Sequence, residues 1–97
     1  MTDTITVTVR DRTAEPGWGS GLLRVCTRKV EISISCAHCG GRRGIPKPTY
    51  QHEDGITYWV DTWTNPCGHV DHYASVLAEA LVLAAARGTA LPPTTTH

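Results

Sequence analysis

Cys36-Ala37-His38-Cys39-Gly40-Gly41, answered further along by Asn65-Pro66-Cys67-Gly68-His69, is the pair of segments that decides the fold. Two thiols in C-x-x-C spacing can grip one ion only where the backbone turns sharply between them, and Gly40 permits that turn. The later segment adds a third thiol, Cys67, and an imidazole, His69, with His72 as the alternative fourth ligand. Zinc takes four nitrogen or sulfur ligands in a tetrahedron, so Cys36, Cys39, Cys67 and His69 would complete a closed site. The expectation is one structural Zn2+ per chain, although a Cys-rich tetrahedral site also takes iron.

Competing readings of the same residues are weaker. A redox pair at Cys36 and Cys39 would be favoured by a βαβ pattern, and the sequence has none. Cys26 reads as a small buried residue of a strand. Its rival role, as a fourth thiolate of an iron–sulfur cluster, would leave the nearby histidines as bystanders. His38, inside the knuckle, and His52, beside a turn, read as surface residues. A catalytic zinc would need an open coordination position and a carboxylate base, and no such motif is present, so an enzyme is not expected.

Working outward, Ile5, Val7 and Val9 alternate with threonines in a period-two strand. Glu15 to Gly21 reads as a Gly- and Pro-rich loop holding Trp18. Val30, Ile32 and Ile34 alternate again and run into Cys36. Thr49–Glu53 and Ile56–Thr64 flank Asp54-Gly55, a two-residue hairpin turn. A single helix is expected from about Asp71, as N-cap, to Arg87, with Gly88 at C′. Its stripe is Tyr73, Val76, Leu77, Ala80, Leu81 and Ala84. Residues 1–88 form one zinc-stabilised α+β domain in this reading, and residues 89–97 a flexible tail.

This order of strand, knuckle, β-hairpin and ligands near the start of a helix resembles the treble-clef zinc fingers over roughly residues 30 to 87. The family commonly takes its second ligand pair as C-x-x-C, whereas this chain has Cys67-x-His69, which also suits a zinc-ribbon-like arrangement. The resemblance implies a small antiparallel sheet with one C-terminal helix. It also implies a structural metal serving protein or nucleic-acid binding.

The chain has 97 residues, and a domain of that length often needs a staple beyond its core. Nine basic and nine acidic side chains give zero formal charge, which excludes a wholly basic nucleic-acid coat. The charge is uneven, however. Arg24 to Lys47 carries six bases against Glu31 alone, so Arg42, Arg43 and Lys47 form a basic loop able to contact phosphates, with Tyr50, Trp59 or Trp63 to stack bases. The helix carries only Glu79 as a charge between Tyr73 and Ala86, so Val82 and Leu83, together with Trp18, are candidate contacts for a protein partner or a second copy. No small-molecule substrate is indicated. No apolar run is long enough for a membrane helix, the N-terminus lacks the pattern of a signal peptide, and a cytoplasmic location is expected.

Overall fold

Alternation of Val7 and Val9 with threonines builds β1 (Thr4–Arg10), and Val30 and Ile32 do the same in β2 (Cys26–Ser33). The two strands pair antiparallel with Val7 opposite Val30 and Ile5 opposite Ile32, so one face of the ribbon is apolar. The computed structural model describes residues 3–15, 25–53 and 55–97. Trp18 and Asp54 lie outside the described residues. Gly55 is described, at φ 80°, as the hairpin turn requires.

The hairpin consists of β3 (Lys47–Glu53) and β4 (Ile56–Thr62), paired with Tyr50 opposite Trp59. It forms a second, two-stranded sheet. Tyr58 and Val60 turn inward and meet Val25. Asp61 on β4 closes the free edge of β1 by accepting from the Thr8 backbone N–H at 2.8 Å. That bond accounts for a threonine only 7% exposed on the polar side of the ribbon.

Helix α1 (Tyr73–Ala86) lays Val76 and Ala80 on Val7, Val9, Val30 and Ile32, and these six residues are the main core. Tyr73 packs against both core clusters and donates to the Asp61 carbonyl at 2.7 Å. Gly88, at φ 70°, ends the helix, and Thr89 N–H reaches the Ala84 carbonyl at 2.9 Å in a Schellman-type closure. The fold is thus small α+β, with two antiparallel sheets and one α-helix among the described residues.

Three expectations change. The helix starts at Tyr73 with His72 as its N-cap, because the Asp71 carboxylate is used elsewhere. Leu81, assigned to the buried stripe, is 56% exposed. The C-terminal residues do not trail free: β5 (Thr95–Thr96) adds to β2 opposite Cys26 and Thr27, giving the sheet order β1-β2-β5. His97 N–H donates to the Val25 carbonyl at 2.8 Å, and Arg28 holds the Pro92 carbonyl. Backbone pairing with a distant strand supplies the order that a Thr- and Pro-rich composition does not announce.

Candidate metal centre

The first ligand pair sits where β2 gives out. An isolated bridge joins Ser35 to Arg42, and Cys36 N–H donates to the Gly41 carbonyl at 2.6 Å, so the knuckle is a closed miniature hairpin. Gly40, at φ 74°, makes its turn and returns its N–H to the Cys36 carbonyl at 2.9 Å. The second pair lies on a matching turn. Gly68, at φ 85°, donates to the Asn65 carbonyl at 2.9 Å and aims Cys67 and His69 back at the first knuckle. His69 therefore reaches the site from a loop that precedes α1, without help from the helix.

The result is a Cys3His group. Cys36, Cys39, Cys67 and His69 each offer one donor atom, and all four atoms lie within 4.8 Å of one another. Cys36 Sγ and His69 Nδ1 are 3.7 Å apart. In a tetrahedral site with metal–sulfur bonds of ~2.3 Å the donors stand roughly 3.8 Å from each other, so this spacing fits one ion. Among the described residues no disulfide is formed, and Cys36 is buried while Cys39 and Cys67 are exposed.

Electrostatics agree with a thiolate site. The backbone N–H groups of His38 and Cys39 point at the Cys36 sulfur and hold its thiol below the ordinary value. At Cys67 the His69 N–H also favours the thiolate. Burial and the neighbouring Cys39 and Cys36 sulfurs outweigh it and push this thiol up. Crowded sulfurs resist ionising together, and a divalent cation removes that repulsion while displacing the protons.

His72 is not part of the group: it caps α1 and is exposed. His38 is exposed, with its ring 5.0 Å from that of His69. Cys26 is 3% exposed in β2, its thiol facing the Ala14 carbonyl, and it takes no part in the cluster.

The basic loop is rearranged by a feature that local sequence does not reveal. Arg43 is 4% exposed. Its Nε donates to Asp71 Oδ2 at 3.0 Å, its two Nη atoms grip Glu79 at 2.9 and 2.8 Å, and Nη1 also donates to the Ser33 carbonyl at 2.7 Å. With a further 3.3 Å bond from Nη2 to Asp71 Oδ1, every guanidinium N–H is engaged. Glu79 above all, and then Asp71, raise its pKa against the opposing effect of burial. Arg43 is therefore unavailable to a phosphate, and the expectation that it lines a nucleic-acid surface is corrected. Arg42 and Lys47 remain exposed. Trp63 is likewise committed, donating to Asp71 Oδ2 at 2.8 Å.

Asn65, read from sequence only as a turn residue, is 4% exposed and lies between the two knuckles. A concavity of about 940 Å³ beside Arg10, Tyr58, Leu77 and Leu91 includes none of the four donor residues. Val82 is 70% exposed on α1, and Leu83 is half-buried in a shallow groove with Val30 and Leu91. Comparison with family models, with curated proteins and with solved structures finds no match.

Proposed function

We propose that this chain is a small non-enzymatic zinc-binding interaction module, in which Cys36, Cys39, Cys67 and His69 hold one structural Zn2+. The observation that carries the reading is the convergence of three thiols and an imidazole within 4.8 Å. Four protein donors fill a tetrahedron and leave no position for a reacting water. The nearest carboxylate in sequence, Asp71, is occupied by Arg43, Trp63 and Asn65 rather than free as a base. The order of knuckle, hairpin, second ligand pair and helix supports a treble-clef or zinc-ribbon relationship. Placement of the second pair in a loop, ahead of α1, favours the ribbon-like variant.

The surface served by the metal is, in this reading, the outer side of α1. The helix has one charged residue, Glu79, and that residue turns inward to Arg43. Leu81 and Val82 stand exposed on the helix, apolar side chains that a second copy would cover. Among the described residues no helix is long and apolar enough to cross a membrane. Sedimentation of the zinc-loaded chain tests the reading. A dimer that Val82→Asp converts to monomer, without loss of metal, supports it. A monomer at all concentrations removes the second copy as the occupant.

A nucleic-acid reading keeps one specific observation in its favour. Tyr50, 78% exposed, and Trp59, 40% exposed, are direct cross-strand neighbours on the hairpin that Lys47 begins. Stacking on that pair plus Arg42 and Lys47 would bind a single strand in a salt-sensitive way. Reversing the charge of Arg42 and Lys47 is expected to abolish that binding, and a wild type that binds no single strand removes the reading.

A further inference from the structure

The two ligand pairs belong to separate turns, and one buried side chain ties them together. Asn65 Oδ1 accepts from the Gly44 N–H at 3.0 Å, on the chain leaving the first knuckle. Its Nδ2 donates to the His69 carbonyl at 2.8 Å and to Asp71 Oδ2 at 3.0 Å, on the chain of the second pair. The amide orientation is fixed by these partners: an N–H faces the oxygen, and two acceptors face the nitrogen. Asp71 is in turn anchored by Arg43, which lies on the chain leaving the first knuckle. The side chain of Asn65 thus bridges the two half-sites without touching any donor atom.

We propose that Asn65 is a positioning residue of the metal centre: its carboxamide locks the Cys67–His69 turn against the Cys36–Cys39 knuckle and slows release of the ion. The proposal rests on the metal-site reading above. Its physical basis is that a ligand held on its main chain by a buried hydrogen bond loses little freedom on binding metal. Outer-shell partners of this kind typically govern affinity by about 10–100-fold. The Cys67 side of the site depends most on the lock, because the single backbone bond from Gly68 N–H to the Asn65 carbonyl closes that turn, whereas the first knuckle has bonds from both Cys36 and Gly40 N–H.

The test uses the full chain loaded with cobalt(II) or zinc. Asn65→Ala is expected to release zinc to an excess of a coloured chelator about 10–100-fold faster than the wild type. The cobalt ligand-field spectrum should change at the same time, because His69 no longer holds one geometry. Val30→Ala, in the core at 1% exposure, is the control for general destabilisation and should leave both readouts near the wild type. Asn65→Asp keeps the acceptor for Gly44 but loses the donor to His69, and serves if the alanine variant does not fold. Wild-type release rates and spectrum in Asn65→Asp, or in a folded Asn65→Ala, overturn the proposal. A wild-type chain that takes up no cobalt is a different failure, that of the metal reading itself.

Discussion

Substituting Gly44 by alanine should disrupt the joint between the knuckles through sterics alone. An added Cβ would stand 2.0 Å from the Thr64 carbonyl oxygen, 2.7 Å from its carbon and 3.1 Å from its nitrogen. These are backbone atoms, so no side-chain rotation relieves the contact. Reaching ordinary contact at 3.4 Å requires the two chain segments to part by 1.4 Å, the difference between that limit and 2.0 Å. Thr64 precedes Asn65, so the same displacement strains the 3.0 Å bond from Gly44 N–H to Asn65 Oδ1. Overpacking costs about 1–3 kcal/mol and the weakened hydrogen bond about 1 kcal/mol more. The sum, roughly 2–4 kcal/mol, corresponds in a domain of this size to a fall in Tm of at least about 8 °C. Thermal unfolding of the zinc-saturated protein, followed by circular dichroism, is the assay. Gly41→Ala is the companion variant, since its Cβ meets only Cys39 Sγ at 3.4 Å and Cys67 Cβ at 3.8 Å. It should stay within about 4 °C of the wild type, with less than ~1 kcal/mol lost. Equal melting of Gly44→Ala and wild type would refute the close approach of the two segments on which the site depends.

Cys26→Ala should leave metal content unchanged, because its thiol lies in β2 away from the cluster, and cost about 1 kcal/mol of packing. Loss of metal in that variant would revive a four-cysteine site. Deleting residues 93–97 removes β5 and the bond from His97 to the Val25 carbonyl. The truncated chain should melt lower and show faster amide exchange at Thr27, which faces β5, but not at Cys26, whose N–H donates to Glu15; unchanged exchange at Thr27 would mean that the tail adds nothing. Acid should unfold the zinc-loaded chain. Burial raises the Asp11 and Asp71 carboxyls, but hydrogen bonds from Thr13 and Arg28, and from Asn65, Trp63 and Arg43, outweigh it and hold both below 3.8. Folded values depressed in this way add stability that is complete above about pH 5 and is lost as pH falls through and below the ordinary carboxylate range. A pH titration by circular dichroism that stays flat down to about pH 2 contradicts this. Arg43→Met strands Asp71 and Glu79 without their cation and should cost about 3–5 kcal/mol, read as the shift in urea midpoint.

The Cys3His cluster was legible because its signal is local. Cys36 and Cys39 share one turn, Cys67 and His69 another, and the chemistry of thiolates and imidazole says what such turns are for. The strands were legible through alternation at Val7, Val9, Val30 and Ile32, and the hairpin through Gly55. Boundaries slipped where a side chain answers to a distant partner. Asp71 looks like an N-cap until Arg43, 28 residues away, takes its carboxylate. Arg43 looks like a surface cation until Glu79, 36 residues away, is seen beneath it. The ordering of Thr95 and Thr96 depends wholly on β2, and nothing in their own composition records it. Asn65 was visible only as a turn former, since its role as a bridge exists only once Gly44 and His69 are brought together.

The central claim is that these four residues bind one metal ion. Native mass spectrometry of the purified chain and of Cys36→Ser tests it most directly, giving metal identity, stoichiometry and oligomeric state in one spectrum. The account predicts one zinc per wild-type chain, and a Cys36→Ser variant that carries none and fails to hold its fold. A metal-free wild type whose mass is lower by two hydrogens would show a disulfide instead, and would contradict the account.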